Sequence, residues 1–208
     1  MHTPNTPSMP IQQKGYTIVE LGIALTIIAV LIVAGLAGVT TVLNNSKANG
    51  QIEESGIVLA KLQSLLTSTN ASGINTAGAV GAGFFPASRV TGNTVTSKFG
   101  GSEFVGTNTV ALTSTEGVSA VAGVGAIYTI TAVPKAVCAN IATSLATLAN
   151  SAWIYSATQT EANHASTTSN FTSGTSQVKA PGAQVQGARV GTQCNLADNV
   201  NLSFFLRP

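Results

Sequence analysis

Between Glu20 and Lys47 the chain carries no ionisable side chain, and the 26 residues from Leu21 to Ser46 are dominated by Leu, Ile, Val and Ala. At about 1.5 Å of rise per helical residue, such a run exceeds the roughly 20 residues needed to cross a bilayer core. We read it as a transmembrane helix. A secretory signal differs in having a shorter apolar region, about 7–15 residues, with a basic flank and a small-residue cleavage site. Here the flank holds only Lys14. The polar stretch Met1 to Gly15 is broken by Pro4, Pro7 and Pro10, so it is not helical throughout, and it has no apolar face to bury.

Beyond the run the helical pattern continues. Ile52, Leu59 and Leu66 recur every seven residues, Leu62 fills the same stripe, and Lys47, Glu53, Glu54 and Lys61 supply polar positions. No proline occurs between Pro10 and Pro86, so the spacing predicts one helix over 16–68, with its membrane part at about 16–46. Gly22, Gly35, Gly38, Gly50 and Gly56 are its weak points, each costing about 1 kcal/mol against Ala.

Past Asn70 the composition turns to Gly, Ser, Thr, Asn and Ala in short apolar runs, which predicts a β-rich head over 71–208. Its clearest strands are Gly125 to Val133 and Asn199 to Leu206, and Gly123 and Gly125 mark a turn or bulge before the first of them. Pro134 opens a helix with Cys138, Ile141, Leu145 and Leu148 on one face, and Trp153 and Tyr155 complete that core. The Thr/Ser/Asn-rich stretch Thr158 to Gln177 reads as a surface loop or edge excursion, with His164 solvated in it.

Several functions lack their minimum parts. Charged residues make up only 8% of the chain and the net charge is +2, with the basic residues scattered singly, so no stripe exists to neutralise nucleic-acid phosphates. Cys138 and Cys194 form no metal-ligand or CxxC set, which leaves room for one disulfide. There is no GxSxG, HExxH or phosphate-binding glycine loop, so no catalytic residue, metal or cofactor is expected.

The most specific local signal is KGYTIVE, Lys14 to Glu20, standing directly before the apolar run. It resembles the processing site of type IV prepilins. The resemblance implies cleavage after Gly15 by a prepilin peptidase, N-methylation of the new first residue Tyr16, and retention of the apolar segment. It implies an α+β fold, the type IV pilin fold: a long N-terminal helix packed on an antiparallel β-sheet head with one disulfide. The leader length, the mature length and Tyr16 in place of phenylalanine look like the type IVb class, close to the thin-pilus pilins of the PilS kind. Many pilins carry a proline about twenty residues into the mature helix. This sequence has Gly35 and Gly38 in that region instead, so any melting of the helix during assembly would rely on them.

Glu20 lies one turn inside a charge-free run, where an acid costs up to about 2.5–3.5 kcal/mol at mid-membrane. The implied cut creates an α-amine at Tyr16, and a neighbouring helix shifted axially brings that amine to the carboxylate. At about 4 Å and an effective dielectric near 20 the contact is worth roughly 4 kcal/mol before desolvation. The resemblance accordingly implies subunit docking by Glu20; the alternative is a carboxylate snorkelling to the headgroups at a helix N-terminus. A head exported across the bacterial inner membrane meets an oxidising compartment, where Cys138 and Cys194 would pair; the alternative is two buried thiols.

The implied function is a structural subunit of a pilus, a helical homopolymer with the inner membrane as its reservoir and adhesion, aggregation, conjugation or motility as its role. The implied machinery is an assembly ATPase, a platform protein and a secretin. Two rivals remain. One is a type II secretion pseudopilin, against which the chain past Glu116 offers only Glu161 and Asp198 as carboxylates for a calcium loop. The other is a membrane-anchored periplasmic binding domain that never polymerises.

Overall fold

The computed structural model describes residues 15–68, 73–108, 123–156, 158–160, 163–164 and 176–208. The chain divides into two compact units, Met1–Val42 and Leu43–Pro208, and helix α1, Ile18–Ser68, contributes to both. Of the leader expected at Met1 to Gly15, all but Gly15 lies outside the described residues, as does the expected start of the head at residue 71.

In the first unit α1 begins where the sequence offers a cap. Thr17 Oγ1 accepts the Glu20 backbone N–H at 3.3 Å, and the Thr17 carbonyl accepts that of Leu21 at 3.1 Å. Thr-x-x-Glu is capping-box spacing, which moves the first helical residue from the expected Tyr16 to Ile18. The helix runs unbroken past Gly35 and Gly38.

In the second unit an antiparallel sheet carries the head. Its described strands are β1 (Val90–Thr91), β2 (Thr94–Thr96), β3 (Ser102–Thr107), β4 (Ala126–Pro134), β5 (Ser151–Tyr155), β6 (Gln177–Lys179) and β7 (Asn199–Leu206). Their order is β1-β2-β3-β4-β7-β5-β6, so the C-terminal strand lies mid-sheet. It pairs Tyr128 with Phe204 on one side and Ala152 with Phe204 on the other. The two strands read from sequence, β4 and β7, are neighbours at the centre. Gly125 precedes β4 where a Cβ would fall 2.3 Å from the Phe205 ring, so close approach excludes any side chain there.

One sheet face holds the main core. Val58, Leu59, Leu62 and Leu66 of α1 pack there with Ile130, Ile154, Leu202 and Phe204. Helix α2 (Thr76–Gly81) is capped by Asn75 and α3 is Lys135–Ala146. Pro134 ends β4 at φ −62°, a value proline imposes and a helix start accepts. Cys138, Ile141 and Leu145 are buried as the spacing predicted. Leu148 departs from that expectation: α3 stops at Ala146, and Leu148 sits in the following turn, exposed. Lys179 Nζ donates to the Ala146 and Ala149 carbonyls at 2.7 Å each, satisfying the helix end. Helix α4, Gly187–Cys194, is tied to α3 by a Cys138–Cys194 disulfide with Cα atoms 5.7 Å apart.

The opposite sheet face corrects two expectations. Strand alternation puts Ala152 and Ile154 toward the helices, so Trp153 and Tyr155, though buried, lie on the other face. Phe104, Thr129, Ser203 and Trp153 form one cross-strand row there. Ser203 Oγ meets Thr129 Oγ1 at 2.7 Å and Tyr155 Oη at 2.6 Å, and burial pushes the Tyr155 phenol up to about 12. His164, expected in solvent, is buried with its ring stacked on Phe104 at 5.3 Å. Burial holds its imidazole down at about 4. Gln159 and Ser176 are buried as well, and Gln177 opens the edge strand β6. Polar composition misled here because a face built from aromatic rings and hydroxyls accepts polar cover; Thr158 and Thr160 are exposed, and residues 161–162 and 165–175 of the stretch lie outside the described residues.

Candidate membrane-spanning and docking segment

Every described residue from Gly15 to Leu43 is exposed, including Ile18 at 87%, Leu31 at 65% and Leu25 at 58%. Isolated exposed leucines are ordinary; a continuous apolar helix with no covered face is not, and it marks a surface meant for lipid or protein. The segment is long and apolar enough to cross a membrane.

At its start Gly15 and Tyr16 precede the helix, both exposed and neither in regular structure. Glu20 is exposed in the first turn, and among the described residues no ion pair engages it. A carboxylate at a helix N-terminus is favoured by the macrodipole, and its backbone N–H is already capped by Thr17. Thr17 is the site residue that sequence reasoning missed, although the Thr-x-x-Glu spacing announced it. Gly35 and Gly38 have open space where a Cβ would stand, so nothing in the structure requires glycine at either position.

Within the head, a second polar feature was also missed. Gln51 and Ser55 of α1 are fully buried. Gln51 Nε2 donates to Ser55 Oγ at 2.8 Å and to Glu103 Oε1 at 3.0 Å. Tyr128 Oη meets Ser55 Oγ at 2.9 Å and donates to Glu103 Oε2 at 2.5 Å. Burial pushes the Tyr128 phenol above its ordinary range. Arg89 bridges Glu103 and Glu54, and Lys98 Nζ reaches Glu54 at 2.6 Å. A Cβ on Gly50 would stand 2.9 Å from the Lys98 side chain, so that glycine is where the lysine stem crosses the helix. Residues 51, 54 and 55 share one helix face, but reading them as a buried group needed their partners from 89–128, which sequence spacing does not supply.

A crystal structure of the type IVb pilin from Salmonella typhi matches with a TM-score of 0.51 at 14% identity, covering 77% of this chain and 99% of that one. This is the type IV pilin fold. TcpA, a type IV pilin from the El Tor biotype of Vibrio cholerae, matches at a TM-score of 0.46 and 14% identity, over 78% of this chain and 98% of that one. No family model matches the sequence, and no curated protein matches it either. The pilin fold accounts for the parts seen separately: a long N-terminal helix, an antiparallel sheet against its C-terminal half, and one disulfide toward the C-terminus.

Proposed function

We propose that the chain is a pilin, the structural subunit of a type IV pilus of the type IVb class. It inserts in the bacterial inner membrane with its N-terminus inward. Prepilin peptidase cuts after Gly15 and N-methylates Tyr16, and the subunit is then drawn into a helical homopolymer. The observation that carries this reading is the uncovered apolar helix with a lone acid in its first turn, joined to a pilin-fold head.

In the bilayer, lipid covers the segment and all backbone groups are satisfied within the helix. In a filament, copies of the same helix would replace lipid. The Glu20 carboxylate of one subunit would then accept the Tyr16 amine of an axially shifted neighbour, which fixes the stagger. The partners follow from this reading: the chain itself, the peptidase, an assembly ATPase, a platform protein and a secretin. The heads would form the outer surface and carry adhesion, aggregation, conjugation or motility.

The test is to shear filaments from cells and determine the N-terminal residue by mass spectrometry. An N-methylated Tyr16 in filament material is the expected result. Filaments beginning at Met1, or a processed chain that stays monomeric in the membrane, would overturn the proposal; the second result would favour a membrane-anchored binding domain.

A further inference from the structure

The buried positions of α1 in the head are Ala48, Gln51, Ser55, Val58, Leu59, Leu62 and Leu66, a single ridge at three- and four-residue spacing. Its second and third members are polar. The apolar members are poor at choosing a register, because Leu59, Leu62 and Leu66 have the same shape. Sliding the helix by one turn, about 5.4 Å, exchanges one leucine for another on the same face. Gln51 and Ser55 are different. Displaced by a turn, one takes the other's place and a mismatch follows: a slip one way sets Ser55 where Leu59 stands and takes Gln51 from Glu103 Oε1, and a slip the other way sets Leu59 against Tyr128 Oη in place of Ser55, at a site where all four residues are nearly or fully buried. Gln51 adds a second constraint, since its Oε1 accepts the Lys98 backbone N–H at 3.0 Å and so ties the helix to the β2–β3 turn.

We propose that Gln51 and Ser55, through Glu103 and Tyr128, set the axial register of α1 on the sheet, while the leucine ridge supplies the adhesion. The two jobs are separable. Buried polar groups specify an arrangement at some expense in stability, as a buried asparagine does between coiled-coil helices. The assignment concerns the head alone and stands whether or not the chain polymerises.

The test measures register directly on the full chain in detergent micelles. Both native cysteines are in the disulfide, so spin labels on Gln63→Cys and Thr143→Cys, two exposed sites on α1 and α3, report one distance. The unaltered network should give a single narrow distribution. In Q51L/S55A, and in the fully apolar Q51L/E54L/S55A/R89M/E103L/Y128F, which also removes the Glu54 pairs with Arg89 and Lys98, a second component displaced by about one helical turn, 5 Å, should hold at least about a tenth of the population. The fully apolar variant should melt no lower than Q51L/S55A. A single unshifted distance in either variant overturns the proposal. Cooperative unfolding of both also overturns it, because a lock on register presupposes that the leucine ridge alone holds the helix down.

Discussion

Helix α1 has two halves that differ in where their specificity comes from. From Leu21 to Ser46 it carries no charge, and every described residue as far as Leu43 is exposed. From Ala48 to Leu66 it has a buried ridge whose polar members, Gln51 and Ser55, find partners on β3 and β4 of the same chain. An apolar surface adheres without choosing, and a polar group placed within it chooses. In the C-terminal half the choice is made within the molecule. The N-terminal half offers one charged group, Glu20, and no ion pair reaches it among the described residues. If the same logic holds there, the partner comes from another chain.

The comparison breaks most visibly at Glu20. Of roughly 4 kcal/mol of Coulomb attraction, desolvation leaves about 2, or some thirtyfold in each subunit addition, and repetition along a polymer turns that into loss of filaments. Glu20→Ala and Glu20→Gln should both abolish filaments by electron microscopy while head melting is unchanged. The pair separates charge from capping, because glutamine retains the capping-box role beside Thr17 and lacks the charge. Filaments formed by Glu20→Gln would show that Glu20 serves only the helix start.

The next effect belongs to the head alone. Removing the disulfide with Cys138→Ala/Cys194→Ala frees a loop spanning 56 positions and should lower stability by about 4 kcal/mol in urea titrations. Truncating the ridge with Leu62→Ala should cost about 2–5 kcal/mol, since Leu62 is fully buried. Loss of stability under half that range would mean the ridge is less well packed than the opposing sheet, and would weaken the contrast between the halves.

His164 tests the sheet's far face. Its imidazole is held at about 4, below the unfolded value of 6.5, with burial as the cause. The folded state therefore binds fewer protons between those values. The contribution is complete above pH 6.5 and is lost as pH falls toward 4, by at most about 3 kcal/mol. His164→Phe keeps a ring on Phe104 and should remove that part of the pH dependence in melts at pH 7 and pH 4. Identical slopes in the two proteins would mean that the charged imidazole is accommodated.

How much of this was legible follows from the range of each interaction. The apolar run, the heptad stripe, β4, β7 and the face of α3 are set by nearest neighbours in sequence, and periodicity finds them. Thr17 was legible too, since its spacing from Glu20 is as local a pattern as the apolar run that follows it. Helix α4 was hidden by Gly187 and Gly191, which argue against a helix that the disulfide to α3 holds in place. His164, Trp153 and the Gln51 group depend on which strand face is covered and by what. That is decided by pairing across as many as 80 positions, as between Ala126 and Leu206, and no local pattern encodes it.

The smallest expected effect is the sharpest test of the contrast. Leu25, in the N-terminal half, has the same side chain as Leu62 with 58% of its surface exposed. Leu25→Ala should change head stability by less than about 0.5 kcal/mol in detergent, because no packing within the chain is lost. Assembled filaments should respond differently. If neighbouring helices cover Leu25, the missing carbons withdraw about 2 kcal/mol per subunit, and filaments should dissociate at lower temperature or detergent concentration. A head destabilised equally by Leu25→Ala and Leu62→Ala would mean that the first half of α1 already packs within its own chain. Unchanged filaments would mean that no neighbour reaches Leu25, and the filament-core role of that stretch would fall with it.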